Sequence, residues 1–312
     1  MTSVATLISG PAAPALDAAA IERARAVLPS AQPPVWLDPG IAADIAFGGP
    51  AEQSHATDHR ALADRVRAAL VGAPIDVVVQ RLGARRKKLF LADMDSTMIG
   101  QECIDELADY VGLKQHVAAI TERAMRGEIE FAPALRERVA LLEGLPAAVA
   151  DEVIAKRITL TPGARTLVAT MRRHGAHTCL VSGGFTLFTG RIAAMIGFDE
   201  NRANTLVVDA GGRLTGQVVE PIIGREGKLA TLIELTRQLA IAPEETLVAG
   251  DGANDIAMIE AAGLGVAYRA KPKVAAAATA RIDHGDLTAL LYVQGYRRDE
   301  FVAAAQSIAN SE

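Results

Sequence analysis

Aromatic residues make up only 4% of the 312-residue chain, and basic residues do not outnumber acidic ones: 32 Lys plus Arg stand against 37 Asp plus Glu, for a net charge of −5. With no long basic tract and few rings on which bases could stack, nucleic acid is not an expected partner. Cysteine is scarcer still. Cys103 and Cys179 are too few for a disulfide framework and fit a reducing compartment, each reading as a small buried hydrophobe rather than a nucleophile. Half of the residues are hydrophobic, yet no uninterrupted apolar run is long enough to span a bilayer. The opening stretch MTSVATLISGPAAPALD has no basic leader, and its apolar run stops at Gly10 and Pro11, so it is not expected to be a secretory signal. These absences predict a cytoplasmic protein with no membrane partner and enough apolar residues for one large core or two ordinary ones.

What is present falls into two parts. Residues 1–83 alternate as strand, helix, strand, strand, helix, strand, over VATLIS (4–9), 16–28, 35–37, 41–47, 59–72 and IDVVVQR (75–81), with Asp38-Pro39-Gly40 as a turn. That βαββαβ order is the one used by ferredoxin-like sandwiches. The basic run Arg85-Arg86-Lys87-Lys88 reads as a solvated linker, which sets apart residues 84–312 as a second domain. Within it, about 100–158 carries four short helical segments and no strand, an insert placed to act as a cap. Beyond the insert, strands and helices alternate as in a doubly wound parallel sheet, with KVAAAATA (273–280) as its last helix, so the fold class is α/β.

Three strands of that sheet end in polar groups. LFLADMDST (89–97) delivers Asp93 and Asp95 from a continuous apolar run of the kind buried on both faces. CLVSGGF delivers Ser182 with Gly183 and Gly184, whose free N–H groups at the start of a helix suit an anion. LVAGDGANDIAM delivers Asp251, Asn254 and Asp255. Strand ends of a parallel sheet open on the crevice where ligands bind. So much negative charge leaving a dry sheet demands a cation, and carboxylate oxygens beside an anionic substrate favour Mg2+.

These residues resemble the haloacid dehalogenase superfamily of aspartyl-phosphate phosphotransferases. Its four motifs are matched in order by Asp93-Met94-Asp95-Ser96-Thr97, by Ser182-Gly183-Gly184, by Lys228 and by Gly250-Asp251-Gly252-Ala253-Asn254-Asp255, over residues 88 to about 296. Within the superfamily the chain is most similar to the phosphoserine phosphatases, through Glu102 and through Met125, Phe131 and Arg138 in the stretch AMRGEIEFAPALRERVALLEGLP. Taken singly, these four have ordinary explanations: a helix cap for Glu102, a local ion pair with Glu137 or Glu143 for Arg138, plain core for the other two.

The resemblance implies a nucleophile, Asp93, and a general acid and base, Asp95, acting on phosphoserine through an aspartyl-phosphate in the last step of serine biosynthesis. It implies Mg2+ held by the Asp93 carboxylate, the Asp95 carbonyl and the Asp251 carboxylate. Ser182, the Gly183 N–H and Lys228 would hold the phosphoryl oxygens. Asn254 would orient substrate or phosphate, and Asp255 would steady Lys228 or a metal-bound water. Glu102 would meet the substrate ammonium, Arg138 the carboxylate, and Met125 and Phe131 would form the apolar lid. Lys228 otherwise reads as a surface lysine of its helix. Two rival functions stay open: transfer of the phosphoryl group to another alcohol such as homoserine, and a non-catalytic amino-acid sensor. The N-terminal unit resembles the ACT domains, which bind amino acids, often at dimer interfaces; a ligand-binding unit and a scaffold or dimerisation unit, giving a homodimer, are both expected uses.

Overall fold

The computed structural model describes residues 3–48 and 58–303; the outermost residues of both expected domains, 1–2 and 304–312, lie outside them. In the N-terminal part, β1 (Ser3–Ser9), α1 (Ala18–Ala26), β2 (Val35–Asp38), β3 (Ala42–Phe47), α2 (His59–Ala69) and β4 (Ile75–Arg81) follow the expected order. Their strands form an antiparallel sheet in the order β2-β3-β1-β4. Both helices are capped by aspartate, Asp17 accepting from the Ala20 N–H and Asp58 from the Ala61 N–H. One sheet face, with Ala5, Leu7, Ile45, Val77 and Val79, packs with Ile21 of α1 and Val66 of α2 into a cluster of its own.

The second part begins with β5 (Leu89–Ala92), all four residues of which are buried. The cap follows as α3 (Cys103–Asp109), α4 (Lys114–Met125), α5 (Phe131–Ala140) and α6 (Val149–Lys156). Its two connections to the core run side by side: Ile99 bridges Leu160, and the Gly100 N–H donates to the Thr159 carbonyl at 3.0 Å. Then come α7 (Ala164–Arg173), β6 (His177–Phe185), α8 (Thr186–Ile196), β7 (Glu200–Asn204), and a hairpin of β8 (Leu206–Val208) and β9 (Leu214–Val218). After these follow α9 (Arg225–Gln238), β10 (Thr246–Gly250), α10 (Ile256–Ala261), β11 (Leu264–Tyr268), α11 (Pro272–Ala277), β12 (Ala280–Ile282) and α12 (Ala289–Val293). The sheet is parallel, in the order β12-β11-β10-β5-β6-β7. The chain goes out from β5 to β6 and β7 on one side, then returns to add β10 to β12 on the other. The crevice where such a sheet takes its ligand therefore lies at β5.

Three sequence expectations change. The first concerns the basic run. It is solvated only in part: Arg86 and Lys88 are exposed, but Lys87 is buried and donates to the carbonyls of Ala84 and Glu244, and Arg85 pairs with Asp44 at 2.6 Å. Arg85 also donates to Thr6 and to the carbonyls of Tyr292 and Val293. The reason is the second face of the N-terminal sheet, from which Ile8, Ala42 and Val78, with Leu37 and Ile41, join the large apolar cluster of the parallel-sheet part. Second, Gly183 and Gly184 lie within β6, at a register shift, instead of opening α8, which starts at Thr186. Third, residues 273–280, read as one helix, are the end of α11 followed by the first residue of β12.

Candidate active site

Asp93 follows directly on β5; its carboxylate accepts from the Met94 N–H at 2.8 Å while its own N–H donates to the Ala249 carbonyl of β10. A tight turn over Met94–Met98 follows, with Ser96 in the left-handed region at φ 55°. The turn sends Asp93 and Asp95 the same way, towards the cap, and delivers Thr97 to Asp251 at 3.0 Å. Asp95 is held by the Cys103 N–H at 3.1 Å, at the first turn of α3.

Lys228, on the first turn of α9, is fully buried and lies 2.6 Å from both Asp93 and Asp255. It is no surface lysine. Asp255 also accepts the N–H groups of Asp251 and Gly252, which folds the β10 loop around the lysine. Asp93, Asp251 and Asp255 can each offer an oxygen with all three atoms within 4.8 Å of one another. Burial, and then the charge of Asp255, push the Asp93 carboxyl well above its usual range; burial pushes Asp251 up to about 7. An all-oxygen, carboxylate-rich set whose charge Lys228 alone does not balance fits a hard divalent cation.

One pocket joins core and cap. From the core come Asp93, Asp95, Ser182, Gly183 and Asn254; from the cap come Glu102, Met125, Phe131 and Arg138. Asp251, Asp255 and Lys228 do not line the pocket; Lys228 reaches it only through its contact with Asp93. Glu102 stands at the N-cap position of α3 but makes no capping bond; its carboxylate accepts from Ser96 at 2.6 Å, and burial drives its pKa well up. Arg138 pairs with neither Glu137 nor Glu143. It donates to the Ala134 carbonyl at 3.0 Å and to Thr121 at 2.9 Å, and no Nη2 bond is made among the described residues. Phe131 lies so close over β6 that a Cβ on Gly183 would stand 2.6 Å from its ring, and one on Gly252 would stand 2.7 Å from the Met125 sulfur. Asn254 Oδ1 is buried with no partner among the described residues. Ser182 accepts from the Gly184 N–H at 2.8 Å, and Asn204 ties Gly183 to Ile223.

The sequence reading missed Thr97, Ser96, Thr121, Asp105 and Asn204. Thr97 and Ser96 sat inside the quoted motif but with no role assigned. The others carry no local signal, since each acts on a partner in a different element.

A family model for haloacid dehalogenase-like hydrolases matches residues 90–260, and the chain belongs to that family. It is 44% identical over 244 residues to a phosphoserine phosphatase of Streptomyces coelicolor, across 78% of this chain and 58% of the relative. The chain thus spans little more than half the length of that curated relative. Among solved structures, a phospho-aspartyl intermediate analogue of phosphoserine phosphatase is 39% identical, with a TM-score of 0.63 over 66% of this chain and 98% of that one. A haloacid dehalogenase family hydrolase from Salmonella enterica serovar Typhi is 28% identical, with a TM-score of 0.80 over 94% of this chain and 98% of that one. No helix among the described residues is long and apolar enough to cross a membrane.

Proposed function

We propose that the chain is a Mg2+-dependent phosphatase that hydrolyses O-phosphoserine to serine and phosphate. The observation that carries this reading is the single pocket lined by Asp93 and Asp95 from the core and by Glu102 and Arg138 from the cap. It supplies reacting carboxylates beside one anion and one cation, the two charges needed to hold the ammonium and carboxylate of an amino acid. The chain's similarity to phosphoserine phosphatases supports the same reading.

In this mechanism an Asp93 oxygen bonds to phosphorus as the ester P–O bond breaks, and Asp95 gives its proton to the departing serine oxygen. Asp95 then takes a proton from the water that cleaves the aspartyl-phosphate. Lys228, fixed between Asp93 and Asp255, meets the negative charge of the phosphoryl oxygens, as do Ser182 and the Gly183 N–H. Asn254, in the pocket wall beside Gly183, orients the substrate or its phosphate. Asp93, the Asp95 carbonyl and Asp251 would hold Mg2+, which when bound neutralises charge on the transferred group. Phe131 and Met125 exclude water over Gly183 and Gly252. The expected cytoplasmic location belongs to this reading. So does the division into an ACT-like unit over 1–83 and a phosphatase unit over 84–312, supported by two separate sheets.

Phosphate release from a panel of phosphomonoesters, with Mg2+ and with a chelator, tests the proposal. Release fastest from O-phosphoserine and abolished by chelation is expected. No preference for O-phosphoserine, or release that survives the chelator, would defeat it. With homoserine added, phosphohomoserine in place of free phosphate would show a transferase instead.

A further inference from the structure

Among the described residues, Arg138 is the only cation that the cap brings to the pocket wall, and it is buried, 2% exposed, without a carboxylate in hydrogen-bond contact. What holds it is a chain of bonds through three helices. Asp105 of α3 accepts from the Thr121 hydroxyl of α4 at 2.7 Å, and Thr121 in turn accepts from Arg138 Nη1 of α5 at 2.9 Å. A hydroxyl has one proton and two lone pairs. With that proton directed to Asp105, or to the Val117 carbonyl at 3.0 Å, Thr121 offers the guanidinium only an acceptor. The Ala134 carbonyl, one turn back on α5, takes Nε. Two donor positions are thereby satisfied, and the Nη2 side of the fork is free for a ligand. Neither Thr121 nor Asp105 lines the pocket.

We propose that Thr121, backed by Asp105, is the positioning residue that aims Arg138 at the substrate carboxylate and so sets preference for phosphorylated amino acids over other phosphomonoesters. This rests on the function proposed above. A flexible guanidinium would spend its donors on nearby carbonyls; one pinned at Nε and Nη1 presents a fixed edge suited to a two-pronged carboxylate contact. The half-buried Asp105 also offers negative charge to a cation taken out of water.

Steady-state kinetics of the full chain on O-phosphoserine and on phenyl phosphate test it. Thr121→Val keeps the shape and removes the acceptor. It should raise KM for O-phosphoserine about tenfold with a smaller change in kcat, and leave kcat/KM for phenyl phosphate within about twofold. Thr121→Ser should restore the wild-type preference. In an Arg138→Ala background, Thr121→Val should cost nothing further on either substrate, because its effect runs through the arginine. Should Thr121→Val fail to fold, Asp105→Asn is put through the same comparison. Equal losses on both substrates, an unchanged preference, or an added loss in the Arg138→Ala background would overturn the positioning role. A wild-type chain with no preference for O-phosphoserine would overturn the substrate reading itself, an outcome distinct from all of these.

Discussion

The junction between the two sheets and the pocket beneath the cap both bury charge, and they treat it in opposite ways. At the junction the buried charges are answered from within the chain. Arg85 meets Asp44, Thr6 and two carbonyls. The Asp76 carboxylate of β4 accepts the N–H groups of Asp283, His284 and Gly285 in the loop after β12. Beneath the cap, Asp93, Asp95, Glu102, Asp251 and Asp255 crowd around Lys228 and Arg138; burial raises the pKa of the first four, as it does that of Asp76, but here an Asn254 oxygen also goes without a partner among the described residues. Buried charge that the chain itself satisfies holds parts together. Buried charge left over is an opening for a ligand, which under the proposed function is a cation and a phosphorylated amino acid.

The contrast can be broken at four points. The largest effect is expected from Asp93→Asn, which removes the proposed nucleophile and a proposed anionic ligand of the cation; turnover should fall by on the order of 10⁵-fold with unfolding midpoints close to wild type. A folded variant that turns over normally would remove the covalent step. At the junction, Arg85→Ala strands Asp44 and should cost about 3–5 kcal/mol of stability in denaturant unfolding, with kcat of the folded enzyme preserved. Unchanged stability together with lost activity would make the junction part of the site.

Arg138→Ala should lower kcat/KM for O-phosphoserine by about 2–4 kcal/mol while sparing phenyl phosphate, which has no carboxylate to grip. A uniform loss on both substrates would point to a structural role in the cap. Smallest is one of the pairs that join cap to core, Lys271 with Glu122 at 2.8 Å, whose side chains are 31% and 42% exposed. Glu122→Ala should change kcat/KM by less than about threefold, since exposed pairs are worth at most about 1 kcal/mol. A tenfold change would identify this contact as a latch on cap closure.

Much of this is legible in the sequence. The apolar run of Leu89 to Ala92 called for a buried strand, and carboxylates at its end called for a cation, because both follow from the cost of burying charge. The βαββαβ order and the four cap helices followed from periodicity. What local pattern could not carry was the context of the basic run. Arg85 and Lys87 look like solvated residues until an apolar sheet face and the ends of α12 and β10 enclose them. The short edge strand β7 was missed for a similar reason. Four of its five residues, Glu200, Asn201, Arg202 and Asn204, are polar, which leaves Ala203 as the one apolar position and no alternation to read. Pairing with β6 is what makes it a strand.

By itself the sequence determined the kinds of element, their order, and which residue types stand at the strand ends, all properties of short stretches governed by periodicity and by the cost of burying polar groups. Only the tertiary structure decided that Lys228 sits between Asp93 and Asp255, that Arg138 is pinned by Thr121 rather than paired with a neighbouring glutamate, and that the N-terminal sheet shares an apolar cluster with the parallel-sheet part. Each of these joins residues far apart along the chain. Their energies depend on burial and on partners' geometry, which exist only once the chain has folded.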